Sequence, residues 1–197
     1  MTRTSASIAA AALAVLVLLV VGLLQLGDSS STSGAAPAPI SLARARALLA
    51  GSPQPLAALH AQANELLPGG LGALRARLAA LRGTPVVINK WASWCEPCRA
   101  EFPIFQHVSV SQGRRVAFIG MDSGDSRADA LAFLHSLPLS YPSYFDHSGQ
   151  AGVTITDSTF TPVTVFFDSR GKEYIHQGPY PSVAKLEADV RRYALDS

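Results

Sequence analysis

The sequence contains little cysteine and little charge. Only two of its 197 residues are cysteine, and 16 basic and 14 acidic residues leave a net charge of +2. So small an excess gives no reason to expect nucleic-acid binding. Two cysteines supply half of the four ligands that a structural zinc ion requires, so the five histidines would have to supply the rest. No internal repeat is present.

Charge is also missing from one long stretch near the N-terminus. Residues 8–24 are Ile, Ala, Leu, Val and Gly alone. Such a run is at the short end of spanning helices, about 17–25 residues, and exceeds the roughly 7–15 of signal-peptide cores. We predict a single-pass membrane anchor over residues 1–27, with a cleavable signal sequence and a secreted product as the alternative. Because Arg3 precedes the run, the rest of the chain is placed outside the cytoplasm, where thiols are usually paired.

The remaining sequence divides by composition and period. Residues 28–39 are rich in Ser, Gly, Ala and Pro and are predicted to be a flexible linker. Residues 40–82 are predicted to be a helical prefix, with helices over 41–49, 56–67 and 71–81. From residue 83 strand and helix patterns alternate, so residues 83–197 are predicted to form an α/β domain with a mixed central sheet flanked by helices.

Within this domain, the patterns predict strands over 85–91, 114–121, 163–167 and 173–177 and helices over 97–110, 127–136 and 183–195. Both cysteines lie between the first strand and the first helix, in Trp94-Cys95-Glu96-Pro97-Cys98. A dithiol at this spacing can switch between two thiols and one disulfide. The sequence therefore indicates thiol–disulfide exchange.

Residues around this motif extend the pattern. Trp91-Ala92-Ser93 precedes it, Glu101-Phe102-Pro103 follows it, and Thr161-Pro162 stands before a later strand. Together these resemble the thioredoxin superfamily, and most closely the membrane-anchored TlpA/ResA-like thiol-disulfide oxidoreductases, over residues 78–195. The resemblance implies a thioredoxin-like fold and an enzyme that reduces or exchanges protein disulfides without a cofactor. It also implies a role in cytochrome c maturation, with apocytochrome c as substrate, or in cell redox homeostasis, with a transmembrane thiol carrier as electron donor.

The chemistry assigns a role to each residue of the motif. Cys95 is the predicted attacking thiolate, because a helix N-terminus stabilises the anion, and the more buried Cys98 resolves the mixed disulfide. Glu96 and Pro97 are predicted to tune the redox potential. Glu101 matches the acidic residue that ResA-like members carry near the dithiol, and we predict that it moves protons. A solvated or capping glutamate is the alternative.

Three residues are predicted to contact the substrate. Trp94 would shield the dithiol and pack on the substrate. Pro162 corresponds to the cis-proline that faces the dithiol in this fold, and a cis bond after Thr161 would expose the Thr161 backbone to an extended substrate. A trans proline that merely starts a strand is the alternative.

Two positions of the first strand depart from related folds. Asn89 stands where classical thioredoxins carry a buried acid, and an amide cannot accept the proton of Cys98. Lys90 stands where an aromatic residue is usual. Strand alternation directs Lys90 away from Asn89, and a lysine there is expected to extend to solvent or to pair with an acid. No function is assigned to it.

Other functions remain alternatives. A disulfide oxidase or isomerase would use the same dithiol. A copper-binding chaperone could recruit Asp146, His147 and His176, although copper-delivery relatives of the fold have three residues between their cysteines and this chain has two. A thiol peroxidase would need a cysteine in a Thr-rich loop, and Thr84-Pro85 leads into a strand without one.

Overall fold

The structure is a computed structural model that describes residues 37–196. The predicted membrane anchor and most of the predicted linker lie outside the described residues. Within residues 37–196, none of the helices has the length and apolar character needed to cross a bilayer.

A mixed sheet forms the centre of the domain. Its strands are β1 (Leu66–Leu67), β2 (Val86–Trp91), β3 (Ala117–Ser123), β4 (Ser143–Asp146), β5 (Val163–Phe167) and β6 (Glu173–Gln177). They lie in the order β1-β4-β3-β2-β5-β6. The first four strands of this order run parallel, whereas β5 pairs antiparallel with both β2 and β6. The predicted α/β class with a mixed central sheet is confirmed.

Helices cover both faces of this sheet. They are α1 (Leu42–Leu49), α2 (Leu56–His60), α3 (Gly70–Ala80), α4 (Glu96–Gln112), α5 (Arg127–Ser136), α6 (Gln150–Thr156) and α7 (Val183–Asp189), which continues as a π-helical turn over Val190–Leu195. The serine hydroxyls at the N-caps of α1, α5 and α7 each accept a backbone N–H from the first turn, which satisfies a donor that the helix itself leaves unpaired.

Strand β2 is buried along its whole length. Its side chains alternate between two hydrophobic clusters, as the pleat requires. Val87 and Trp91 lie in the cluster under α4 and α5, which we call the first face. Val86 and Ile88 lie in the cluster under α3 and α6, the second face. A continuous apolar run is therefore explained by a strand that is covered on both sides.

The segment 40–82 is not purely helical, and the predicted helix over 56–67 is wrong in its second half. Helix α2 ends at His60, and Leu66–Leu67 instead pairs with β4 at the sheet edge. Asn64 explains the break: it adopts a positive φ of 66°. Its side chain also donates to the Leu134 carbonyl and accepts from the Leu139 N–H. These contacts are distant in sequence and override the local helical pattern.

Gly120 in β3 allows three strands to pack closely. The Trp91 indole N–H of β2 donates to the Ser143 hydroxyl of β4 at 3.2 Å, across the intervening strand. A Cβ atom on Gly120 would collide with the Ser143 hydroxyl and would lie 2.8 Å from the Trp91 Nε1 atom. The bond thus depends on the absence of a side chain at this position.

We expect Gly120→Ala to destabilise the protein by about 1–3 kcal/mol, because an added methyl group in a packed core forces its neighbours to move. Gly72→Ala is the matched control, since an added Cβ there has no atom within 4 Å and the position is exposed in α3. That control should gain about 0.5–1 kcal/mol of helix stability. Urea unfolding monitored by circular dichroism measures both, and equal effects of the two substitutions would contradict the packing argument.

Candidate active site

The two cysteines lie at the N-terminus of α4, just after the short loop that follows β2. Cys95 is the N-cap of α4, and it forms a disulfide with Cys98, with 5.3 Å between the Cα atoms. Both are buried, Cys98 completely. The Cys98 backbone N–H points at the Cys95 sulfur at 3.2 Å. In the reduced state, the same donor and the helix N-terminus would stabilise a Cys95 thiolate.

The two residues between the cysteines belong to the first turn of α4. Pro97 occupies a position whose N–H would have no partner inside the helix, so its lack of a donor costs little. Glu96 points to solvent, with 86% of its side chain exposed, and pairs with Arg99 at 3.8 Å. An exposed pair of this kind interacts weakly. The redox-tuning role of both residues stays a prediction.

Glu101 is fully buried one turn beyond Cys98. The solvated alternative is therefore wrong. Its Oε1 atom accepts from the Asn89 amide at 3.1 Å, and its Oε2 atom accepts from the Tyr180 backbone N–H at 3.0 Å. Burial raises the pKa of Glu101 to about 8, and these two hydrogen bonds oppose the rise. A carboxyl group that titrates so close to a thiol, about 8.5, is suited to exchanging protons with one.

Asn89 and Glu101 act as one unit. The sequence excluded Asn89 as a proton acceptor and indicated no link between it and Glu101. In the structure, Asn89 points to the first face of β2 and donates directly to the Glu101 carboxyl. Within the described part of the chain, the Asn89 Oδ1 atom has no hydrogen-bond partner. Asn89 thus holds the acid in place without carrying the proton itself.

The predicted substrate contacts come from separate segments. Trp94 is 64% exposed, and its indole N–H donates to the Gly124 carbonyl at 3.0 Å. The Thr161–Pro162 peptide bond is cis, as the resemblance implied. Trp94 and Thr161 line the same cleft, of about 190 Å³. Beside Thr161, Phe160 is the most exposed large apolar side chain of the described residues. Contact with substrate stays a prediction for Trp94, Thr161 and Pro162.

Lys90 follows neither sequence expectation. It lies on the second face of β2 and is 1% exposed, so it does not extend to solvent. Among residues 37–196 it forms no ion pair. Its ammonium group donates to the Ser158 carbonyl at 2.6 Å. Burial lowers the pKa of Lys90, and the charge of Asp146 opposes this shift.

Sequence reasoning missed Asp125 as a functional residue. Ser126 provides the cap of α5. Asp125 instead accepts from the backbone N–H and the hydroxyl of Ser93, at 2.6 and 2.9 Å. It thereby fixes the loop that leads to Cys95. The only sequence signal is an acid placed just after a strand parallel to β2.

Asp122 was missed as well. It lies one residue before the end of β3, on the first face, and is fully buried. Neither of its carboxyl oxygens has a hydrogen-bond partner within the described range. Burial, together with the neighbouring Asp125 and Asp146, raises the pKa of Asp122 to about 9. Burial therefore favours the neutral form of Asp122, which reduces the repulsion between neighbouring carboxyl groups.

The residues considered for copper have other partners. His147 Nδ1 lies 2.8 Å from the Asp125 carbonyl, and the His176 ring stacks on Tyr180 at 4.3 Å. Across the described residues, no group of three or more His, Cys, Asp or Glu side chains is arranged to hold a metal ion.

Comparisons with known proteins agree with this architecture. A family model described as the AhpC/TSA family matches residues 66–172. The chain is 30% identical over 132 residues to the thiol:disulfide interchange protein DsbE of Tatumella citrea, covering 66% of each chain. It is 31% identical over 102 residues to the thiol-disulfide oxidoreductase ResA of Bacillus subtilis, covering 50% of this chain and 55% of ResA. The matches thus span between about half and two thirds of these relatives.

A solved structure is similar at the level of the fold. The structure of dsbF from Mycobacterium tuberculosis (MTB) superposes with a TM-score of 0.53 at 24% identity. The match covers 58% of this chain and 84% of that one. The fold around the dithiol is therefore thioredoxin-like.

The raised pKa of Glu101 predicts a pH dependence of stability. Between its ordinary value of 4.5 and about 8, this carboxyl is ionised in the unfolded chain and neutral in the folded one. The folded state then binds more protons, so stability falls as pH rises through this window. From pH 4.5 to 9, we expect oxidised wild-type protein to lose more stability than Glu101→Gln, by a few kcal/mol.

Urea unfolding of the disulfide-bonded proteins at several pH values tests this. Glu96→Gln is the matched control, because it makes the same Glu-to-Gln change at an exposed position of the same helix. That control should follow the wild-type curve. Parallel curves for wild type and Glu101→Gln would show that Glu101 does not titrate in this window.

Proposed function

Because this chain belongs to the AhpC/TSA family of thioredoxin-like proteins, we propose that it is a thiol-disulfide oxidoreductase that reduces or exchanges protein disulfides. The observation that carries the proposal is the Cys95–Cys98 disulfide at the N-terminus of α4, with a fully buried Cys98. No other cysteine exists in the chain to compete with this pair. The names of DsbE and ResA, the relatives matched, describe the same chemistry.

The reaction proceeds in two exchanges. In the reduced protein, the Cys95 thiolate attacks one sulfur of the substrate disulfide. That bond breaks, the leaving thiolate takes a proton, and a mixed disulfide joins Cys95 to the substrate. Cys98 then loses its proton and attacks the Cys95 sulfur, which releases the second substrate thiol and forms the Cys95–Cys98 disulfide. Two electrons pass from the protein to the substrate.

Glu101 is the proposed proton acceptor for Cys98. The two residues are three apart on α4, so they are neighbours on the helix surface. With its pKa raised to about 8, the Glu101 carboxyl has a proton affinity close to that of an ordinary thiol. Transfer in either direction therefore needs little free energy, which suits an exchange reaction.

The cellular setting is also part of the proposal. Residues 8–24 would anchor the protein as a single-pass membrane protein, or would be cleaved to release it, with residues 40–197 outside the cytoplasm. There the dithiol would act on protein disulfides, including those of apocytochrome c, and a transmembrane thiol carrier would return electrons to it. In a compartment that favours disulfides, a reductase needs such a supply.

A trapping experiment tests the roles of the two cysteines. We expect Cys98→Ser to accumulate a mixed disulfide through Cys95, because the resolving thiol is gone. Cys95→Ser should form little or none under the same conditions, and circular dichroism should show that both variants are folded. Mass spectrometry after non-reducing electrophoresis identifies the linked residue. A stable adduct in Cys95→Ser alone would reverse the assignment.

The reduction potential tests the direction of exchange. For a reductase we expect a Cys95–Cys98 potential near that of thioredoxin, about −270 mV, and well below the roughly −120 mV of strong oxidants on this fold. Titration against glutathione or dithiothreitol buffers, followed by alkylation, gives the value. A potential near −120 mV combined with rapid oxidation of reduced proteins would favour the disulfide oxidase instead.

A further inference from the structure

The packing on the second face of β2 leaves space for the Lys90 side chain. The strand pairs Lys90 with Met121 of β3 on one side and with Val163 of β5 on the other. Its aliphatic chain extends beneath α6, where a Cβ atom on Gly152 would lie 2.9 Å from the Lys90 Cε atom. The missing side chain at Gly152 therefore leaves room for a long cation in the core.

The charge of Lys90 is only partly compensated. Its ammonium group has three N–H donors and forms one hydrogen bond within residues 37–196, to the Ser158 carbonyl. Asp146 is the nearby acid, but it is engaged elsewhere. One of its oxygens accepts from the Ser148 hydroxyl at 3.1 Å, and the other accepts from the Gly152 N–H at 2.8 Å. A buried ammonium group with a single hydrogen bond would be stabilised by an additional hydrogen-bond acceptor.

Lys90 is one of the residues that line the cleft next to the dithiol. The cleft has a volume of about 190 Å³, and the residues that matter for its chemistry are Lys90, Trp94, Ser123, Thr159 and Thr161. Trp94 immediately precedes Cys95, and Thr161 immediately precedes the cis-proline. An extended substrate bound between Trp94 and Thr161 would therefore place a side chain close to its reactive cysteine next to Lys90 and the hydroxyl groups of the cleft.

We propose that this cleft binds the carboxylate of an Asp or Glu side chain that lies close to the reactive cysteine of a polypeptide substrate. The proposal rests on the proposed function, because it deepens the substrate specificity of the same site. Lys90 is then a specificity-determining residue. The hydroxyl group of Thr159, which is exposed at the cleft, supplies a further donor for the carboxylate oxygens. A hydrogen bond from a charged donor to a carboxylate is stronger than one to a neutral amide.

Peptide disulfides test this specificity. One set carries a single Glu at each of the two positions before and the two positions after the cysteine, and a matched set carries Gln at the same places. With the reduced wild-type protein, we expect the Glu peptide to be reduced more efficiently at one position at least. The gain in kcat/KM should be on the order of tenfold. The ratio of the two peptides cancels general differences in activity.

Variants then assign the preference to the ammonium group. Lys90→Met should bring the Glu-to-Gln ratio close to one, whereas a purely structural effect would slow both peptides equally. Lys172→Met is the control, since it removes the same charge from the exposed β5–β6 turn and should keep the wild-type ratio. If Lys90→Met does not fold, Thr159→Glu is the alternative test variant, because Thr159 is exposed at the cleft. Its added charge should repel Glu peptides, and Thr159→Gln should not.

The outcomes separate this inference from the function on which it rests. Reduction of neither peptide set would overturn the proposed function itself. Equal reduction of Glu and Gln peptides by the wild-type protein would overturn the carboxylate specificity and leave the oxidoreductase intact. A preference for Glu that persists unchanged in Lys90→Met would also overturn it, since the cation would then play no part.

Discussion

The arrangement of the site depends on the burial of β2 on both faces. A strand enclosed in this way has no access to water, so each polar side chain on it must find a partner inside the protein. Asn89 finds the Glu101 carboxyl on the first face, and Lys90 finds the Ser158 carbonyl on the second. The strand then ends at the loop to Cys95. Two consecutive residues thus connect the dithiol-bearing segment to elements on opposite sides of the sheet.

The same burial determines the electrostatics. Glu101 and Asp122 both lie in surroundings that disfavour a negative charge, and their pKa values are raised for that reason. Only Glu101 has two donors aimed at its oxygens, so it can hold either charge state with modest cost. Asp122 lacks such donors in the described structure and faces two other acids. One carboxyl is therefore suited to giving and taking protons, and the other is held neutral.

Much of this architecture follows from local sequence patterns, because β2, β5, β6 and most helices carry their own periodicity and caps. The dithiol and the cis-proline belong to a motif that is recognisable directly from the sequence. Asn64, Asp125 and Lys90 are different, because each derives its role from partners far away in sequence: the Leu134 carbonyl, the Ser93 loop and the Ser158 carbonyl. The local periodicity of apolar residues does not indicate contacts between residues so far apart in sequence. The predicted membrane anchor and linker remain predictions, since they lie almost wholly outside the described residues.

The contact between Trp91, Gly120 and Ser143 has a consequence for how this protein can diverge. The indole needs a hydroxyl acceptor on β4, and the bond between them passes over a position on β3 that must lack a side chain. A change at any one of the three positions leaves a buried donor without a partner or creates a collision. We therefore expect descendants of this sequence to retain the three residues together or to replace them together, so that their evolutionary histories are correlated although they lie on separate strands.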